Sequence, residues 1–104
     1  PITNSLKLVG GKWKISIIHN LRKSPLRFGQ LKRTLSPITQ QMLTKQLREM
    51  ERDKLINRKV YEVVPPKVEY SLTKFGASLG PVLDSWCKWG EKNKKLIQAL
   101  FEEH

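Results

Sequence analysis

Residues 36–50, SPITQQMLTKQLREM, contain the strongest structural signals in the chain. Pro37 cannot continue the helix that precedes it, and Thr39 is a favourable N-cap residue for the helix that follows. Ile38 before the cap and Leu43 four residues into the new helix are spaced as a hydrophobic staple. The stretch therefore predicts two helices joined by a tight turn.

The helix predicted after Thr39 has two contrasting faces. Leu43, Leu47 and Met50 recur at helical spacing and form an apolar stripe. At about 100° per residue, the side chains opposite this stripe are Gln41, Lys45, Arg48 and Arg52, with Thr44 at the edge. This polar face carries hydrogen-bonding and cationic groups and no carboxylate, which favours contact with a polyanion.

The residues on either side predict a fixed order of elements. Apolar residues before Gly10 predict a short first helix, which the glycine ends. A second helix follows from Trp13 and stops before Pro25, and a third, shorter one contains Phe28. Downstream, residues 56–63 and 68–72 predict two strands of a hairpin whose turn is Val64-Pro65-Pro66-Lys67, with these cations on or near its tip: Arg58, Lys59 and Lys67.

A last helical stretch follows the hairpin. Thr73 is its predicted cap, and Pro81 should kink or split it. The order of helix, helix, helix, helix, hairpin and helix predicts a mainly α fold with a small β-hairpin, a winged helix-turn-helix. A length of 104 residues predicts one domain over positions 1–104.

The charge distribution points to the partner. The chain has 20 Lys plus Arg and 9 Asp plus Glu, for a net charge of +11. Residues 1–48 contain no Asp or Glu, so almost the whole surplus lies in the first half. This half should dock on nucleic acid or on an anionic membrane.

Several other classes find no support in the sequence. Cys87 is the only cysteine, which excludes an intrachain disulfide framework and a cysteine metal cluster. No apolar run reaches the ~18 residues of a membrane span. We find no nucleophile with a base at catalytic spacing and no phosphate-cradling glycine loop, so we expect neither an enzyme nor a cofactor or metal site. We see no signal peptide, and since the sequence begins at Pro1 we expect residues before it in the native chain.

Several motifs in one order resemble the HxlR-type winged helix-turn-helix regulators, which are distantly similar to MarR-type proteins. The resemblance runs from Pro1 to about Trp89. The matching stretches are Gly10-Gly11-Lys12-Trp13, Arg27-Phe28-Gly29-Gln30-Leu31, residues 38–44, residues 47–51, residues 64–73 and Gly76.

The resemblance implies a prokaryotic, cytoplasmic transcription regulator that binds double-stranded DNA as a homodimer, and we expect a repressor. The helix from Thr39 would read bases and the hairpin would be the wing. The expected DNA-binding residues are Arg27, Lys32, Thr39, Gln40, Gln41, Thr44, Lys45, Arg48, Arg58, Lys59 and Lys67. The first helix and the C-terminal helices would build the dimer, through Ile2, Leu6, Val9, Leu83, Trp86, Leu96 and Leu100.

Cys87 has two interpretations, structural and redox. Its neighbours Trp86 and Trp89 predict a buried, inert thiol, and this favours the structural role. Many members of the family carry a cysteine immediately before the proline that corresponds to Pro1. The sequence does not include that position, so redox sensing is not carried over, and the effector, small molecule or oxidant, stays unassigned.

Two other functions remain open from the residues alone. The first is a winged-helix module that binds protein, with an incidental basic face. The second is a membrane-surface role, which would need an exposed basic amphipathic helix. The acid-free face of the helix after Thr39 argues against a protein-binding module. A membrane-surface role is disfavoured because the apolar faces are expected to be buried in the core and in the dimer.

Overall fold

A computed structural model describes residues 1–102 of the chain. Helices dominate, and three short strands form one small sheet. In chain order the elements are α1 (Ile2–Val9), α2 (Lys14–Leu21), β1 (Leu26–Arg27), α3 (Phe28–Thr34), α4 (Gln40–Arg52), β2 (Ile56–Tyr61), β3 (Lys67–Leu72), α5 (Lys74–Ala77), α6 (Gly80–Lys92) and α7 (Lys94–Glu102).

The predicted helix pair is confirmed in α3 and α4. Leu31 of α3 and the two apolar residues of the connecting turn, Leu35 and Ile38, are buried. The Ile38 N–H donates to the Leu35 carbonyl oxygen at 3.0 Å, which closes the turn before α4 begins. The turn therefore places α4 by burying its own apolar side chains against α2 and α3 residues in one core.

That core collects the apolar faces of the first four helices and of the sheet. Ile17 and Ile18 of α2, Leu43 of α4 and Ile56 of β2 lose nearly all solvent contact. Helical spacing in α2 and α4 brings these faces together because each helix has a single apolar stripe. The opposite face of α4 is left exposed.

The hairpin is confirmed, with a third strand beside it. β2 pairs antiparallel with β3 from Ile56↔Leu72 to Tyr61↔Lys67, and β1 joins the other edge of β3 through Leu26↔Tyr70. β1 was not predicted, since two residues carry no readable alternation. Lys67 opens β3 and is not part of the turn as predicted, because it still pairs with Tyr61.

The C-terminal stretch splits into three helices. Thr73 caps α5 by accepting a hydrogen bond from the Gly76 N–H at 2.9 Å. Pro81 lies in the first turn of α6, so the predicted split is confirmed. A further break at Asn93 was not predicted; its side-chain amide donates to the Trp89 carbonyl oxygen at 2.9 Å. The last helix, α7, has no buried residue.

Candidate nucleic-acid interface

The recognition surface is built on the outward face of α4. Thr39 Oγ1 accepts a hydrogen bond from the Met42 N–H at 3.1 Å, which confirms the predicted N-cap. Leu43, Leu47 and Met50 are buried and hold the helix against the core. The helix therefore presents the opposite side chains in a fixed direction.

The outward side chains lie where the helical wheel predicts them. Gln41, Lys45 and Arg48 are exposed, and Thr44 is half-buried at the edge of the face. The Thr44 hydroxyl donates to the Gln40 carbonyl oxygen at 2.8 Å, so its methyl group is the part free to contact a ligand. Neither Lys45 nor Arg48 has an ion-pair partner among residues 1–102.

Arg52, further along the same face, is different. Its Nε lies 3.1 Å from Asp53 Oδ1, and this hydrogen bond lowers the pKa of the Asp53 carboxyl. The charge of Arg52 is therefore matched within the chain. The cations left to meet a polyanion on α4 are Lys45 and Arg48.

An ion pair that the sequence analysis missed fastens α4 to α2. Lys14 Nζ lies 3.0 Å from Glu49 Oε1, and the Lys14 side chain is almost fully buried. The hydrogen bond from Lys14 lowers the pKa of the Glu49 carboxyl. A signal was available, because Lys14 shares helical spacing with Ile17, Ile18 and Leu21 and so falls on the buried face.

Two more predicted DNA contacts precede α4 in the chain, Arg27 at the end of β1 and Lys32 in α3. Arg27 and Lys32 are exposed, as a phosphate contact requires. The Arg27 backbone N–H donates to Gln30 Oε1 at 2.9 Å, which fixes the start of α3 and leaves the Arg27 guanidinium in solvent. Both residues stay predicted DNA contacts.

In the hairpin, two cations gather on one aromatic ring. Lys59 Nζ and Lys67 Nζ lie 4.8 Å and 5.0 Å from the centroid of Tyr61. The Tyr61 hydroxyl donates to Glu69 Oε1 at 3.1 Å, and Lys67 Nζ lies 3.9 Å from Glu69 Oε2. These contacts hold the two lysines on one face of the hairpin.

The prediction that Arg58 and Lys59 lie on or near the hairpin tip is wrong, because both pair in the middle of the ladder, Arg58 with Tyr70 and Lys59 with Glu69. The Arg58 side chain lines a cleft against α4. The alternation of strand residues explains this, since Arg58 points to the face opposite Lys59. Arg58 thus lies on the face opposite Lys59 and Lys67, which both lie against Tyr61.

The predicted dimerisation residues divide into two groups. Ile2, Leu6, Trp86, Leu96 and Leu100 are exposed in the single chain, as an unpartnered interface would be. Two further residues require a correction, because they are buried in the core of their own chain and offer no free surface: Val9 and Leu83.

The predicted burial of Cys87 is wrong for the single chain. Its thiol is exposed, and it lines an apolar cleft of about 440 Å³ together with His19 and Trp86. Neighbouring tryptophans bury a cysteine only when they are themselves covered. Trp86 and Trp89 both keep more than half of their surface exposed. The prediction that Cys87 is inert because it is buried therefore loses its basis.

None of the helices in residues 1–102 combines the length and the apolar character that a membrane span requires. Within the same residues, no group of three or more His, Cys, Asp or Glu side chains is placed to hold a metal ion.

Comparison with known proteins gives consistent results. The sequence model of the HxlR-like helix-turn-helix family matches residues 8–98. An uncharacterized HTH-type transcriptional regulator, YdeP of Bacillus subtilis (strain 168), is 49% identical over 100 residues, which cover 96% of this chain and 78% of the relative.

Two solved structures are also similar. The redox regulator HypR in its reduced form superposes with a TM-score of 0.90 at 43% identity, covering 95% of this chain and 98% of HypR. A transcriptional regulator of the MarR family from Enterococcus faecalis V583 gives a TM-score of 0.81 at 42% identity, covering 94% of this chain and 89% of the other. The winged helix-turn-helix fold is thus shared with transcription regulators.

Proposed function

The chain belongs to the HxlR-like helix-turn-helix family, and from that premise we propose how this DNA-binding transcriptional regulator engages its operator. It acts as a homodimer and a repressor. Helix α4 enters the major groove, and the β2–β3 hairpin contacts flanking DNA. The protein is a regulator and not an enzyme, in keeping with its family and its relatives.

The observation that carries the proposal is the composition of the outward face of α4. Gln41, Lys45 and Arg48 are exposed, and two carboxylates border them, those of Glu49 and Glu51. The nearest acid, Glu49, is matched by Lys14 of α2. An α-helix fits the major groove, where amide and guanidinium groups pair with base edges. The face therefore combines base-reading groups with unmatched positive charge.

The roles differ along α4. Gln41 lies in the first turn, where winged-helix proteins meet base edges, and its amide matches the adenine edge. The Thr44 methyl suits a thymine methyl group. Lys45 and Arg48, one and two turns further on, supply charge to phosphates, and Arg48 also has the donor geometry for guanine.

Contacts outside α4 position the protein on the duplex. Arg27 at the end of β1 and Lys32 of α3 face the DNA backbone beside the helix pair, and Lys59 and Lys67 reach phosphates beyond the hairpin. The N-terminal residues Thr39 and Gln40 bring the positive end of the α4 dipole to the DNA. These contacts fix orientation without reading sequence.

The dimer follows from apolar surface that a single chain leaves uncovered. Leu96 and Leu100 of α7, Trp86 of α6 and Leu6 of α1 are exposed. Covering them with a second copy by two-fold symmetry would set the two α4 helices about 34 Å apart, one turn of DNA.

The cellular setting follows from this role. A regulator related to proteins of Bacillus subtilis acts where bacterial DNA lies, in the cytoplasm. The similar HypR structure is named a redox regulator. A small-molecule or redox effector for this chain stays a prediction.

Selection of bound sites from random duplexes, followed by sequencing, tests the proposal. We expect an inverted repeat whose half-sites lie about one helical turn apart. A matched control compares Lys45→Ala/Arg48→Ala with Lys94→Ala/Lys95→Ala, which removes the same charge from α7. The first variant should enrich nothing, while the second should enrich the parent site. Failure of the parent to enrich any sequence would contradict specific DNA reading.

A further inference from the structure

A cleft of about 500 Å³ runs between α4 and the hairpin. Arg48 of α4 and Arg58 of β2 both line it, together with the aromatic rings of Phe28 and Tyr70. Glu51 is the carboxylate in the same lining. The cleft is thus lined by one cation from α4 and one cation from the hairpin.

The strand register explains why Arg58 belongs to this cleft. Arg58 pairs directly with Tyr70 on the neighbouring strand, so the two side chains lie side by side on one face of the sheet. Lys59 lies on the other face against Tyr61. The hairpin therefore carries two separate sets of cations, one on the face that holds Tyr61 and one on the face against α4.

The polar groups of the cleft are open to a ligand. Within residues 1–102, neither Arg48 nor Arg58 has a carboxylate within 4.0 Å, and the Tyr70 hydroxyl makes no hydrogen bond. Arg22 and Arg52, by contrast, each pair with an aspartate. Two guanidinium groups without an ion-pair partner line this cleft together with a phenol. Such a set suits a single tetrahedral oxyanion, because each guanidinium presents a planar fork of donors.

The geometry of DNA identifies that oxyanion. A helix in the major groove and a hairpin beside it straddle one sugar–phosphate strand, which must run through the cleft between them. We propose that Arg48, Arg58 and the Tyr70 hydroxyl bind one phosphodiester of this strand. The site rests on the proposed function and adds to it a defined phosphate that couples the helix to the hairpin.

The contact would set the register of the whole interface. A phosphate bound at this point carries no sequence information, but it fixes how deep α4 lies in the groove and so where Gln41 meets a base. Glu51 opposes the phosphate by charge repulsion. Glu51→Gln should therefore tighten binding to every duplex by a similar factor, about threefold.

Single neutral phosphates test the site. A series of duplexes with the selected sequence is synthesised, each with one uncharged methylphosphonate at a different backbone position. The Kd of every duplex is measured with four proteins: the parent, Arg58→Met, Tyr70→Phe and Lys92→Met. Loss of a charge-assisted hydrogen bond should weaken the parent about tenfold at the clamped position. Tyr70→Phe keeps the ring and tests the hydroxyl alone. Lys92→Met removes an exposed cation in the last turn of α6, away from the cleft.

In Arg58→Met, a methylphosphonate at that one position should raise the Kd by about twofold or less. The increases in Kd caused by methylphosphonates at other positions should stay as in the parent. Tyr70→Phe should shrink the effect at the clamped position in part, and Lys92→Met should leave the whole pattern as in the parent. A pattern in Arg58→Met identical to that of the parent would overturn the phosphate site while DNA binding stands. A parent that binds no duplex would overturn the proposed function and the site with it.

Discussion

Among single residues, Lys14 is the charged side chain that the described part of the chain buries, at 7% exposure. A buried ammonium is tolerated only with a close partner, because the interior screens and solvates charge poorly. Glu49 is that partner at 3.0 Å. The pair therefore ties the C-terminal half of α4 to α2.

The Lys14–Glu49 pair predicts a pH dependence of stability. The pKa of Glu49 is lower in the folded chain than its unfolded value of about 4.3. Its stabilising effect is thus complete above that value and is lost as pH falls through the lower, folded pKa. The Tm of the parent should therefore fall more steeply than that of Glu49→Gln between roughly pH 5 and pH 3.

Circular-dichroism melts across this range provide the measurement. Glu91→Gln is the matched control, since Glu91 is exposed and has no ion-pair partner within residues 1–102. Its curve should run parallel to that of the parent. If Glu49→Gln also ran parallel, the ion pair would not contribute to the stability of the fold.

Gly76 illustrates a constraint set by backbone contact. A Cβ added there would clash with the Leu55 carbonyl oxygen and would lie only 3.1 Å from the Leu55 carbonyl carbon. Gly76→Ala should lower the free energy of unfolding by about 1–3 kcal/mol, as overpacking does. Gly29→Ala, whose Cβ would meet the Arg33 side chain at an ordinary 3.5 Å, should have little effect. Equal urea midpoints for the two variants would refute the close approach at Gly76.

At the scale of elements, periodicity predicted α4 well because its two faces differ so sharply. Leu43, Leu47 and Met50 are buried, and Gln41 and Lys45 are exposed, as the helical wheel requires. The Thr39 cap was equally predictable, since its chemistry is local. Helix α4 and the direction of its exposed face are therefore predictable from the sequence alone.

Features that depend on distant neighbours were not readable. β1 exists because β3 offers it an edge, and Arg58 lies at the α4 cleft because of the strand register. The exposure of Cys87 depends on which part of the protein covers α6, and the residues around Cys87 in the sequence do not predict this. Each of these features depends on tertiary contacts, and the local sequence pattern therefore does not predict it.

Helix α7 makes its own prediction. Its apolar side chains are unburied in the single chain, with Leu96 at 62% exposure. If a second copy covers them, Leu100→Glu should place a charge in the interface and halve the particle mass, because burying an unpaired carboxylate is costly. Light scattering should give twice 12.1 kDa for the parent and 12.1 kDa for the variant.

Gln98→Glu is the control, because it adds the same charge to the same helix at an exposed position. It should stay dimeric. A dimeric Leu100→Glu would remove α7 from the interface, and a monomeric parent at micromolar concentration would contradict the homodimer itself.

For the whole molecule, the charge distribution predicts how binding responds to salt. The acid-free first 48 residues contain α1, α2, α3 and helix α4 as far as Arg48. If each protomer neutralises about four phosphates, a dimer releases the counterions of about eight, and the log–log salt slope is about −7. Titrations of the selected duplex at increasing NaCl measure this slope. A value shallower than about −3 would mean that the basic half is not the docking face.

The central claim is that the outward face of α4 reads bases. The most direct test compares affinities for the selected duplex and a random one, in Gln41→Ala and Lys45→Ala proteins whose fold and dimer mass match the parent. Gln41→Ala should cost about 1–3 kcal/mol on the selected site and little on the random one. Lys45→Ala should weaken both about equally and reduce the salt slope by about one per contact. Equal losses on both duplexes in Gln41→Ala would contradict base reading by this face.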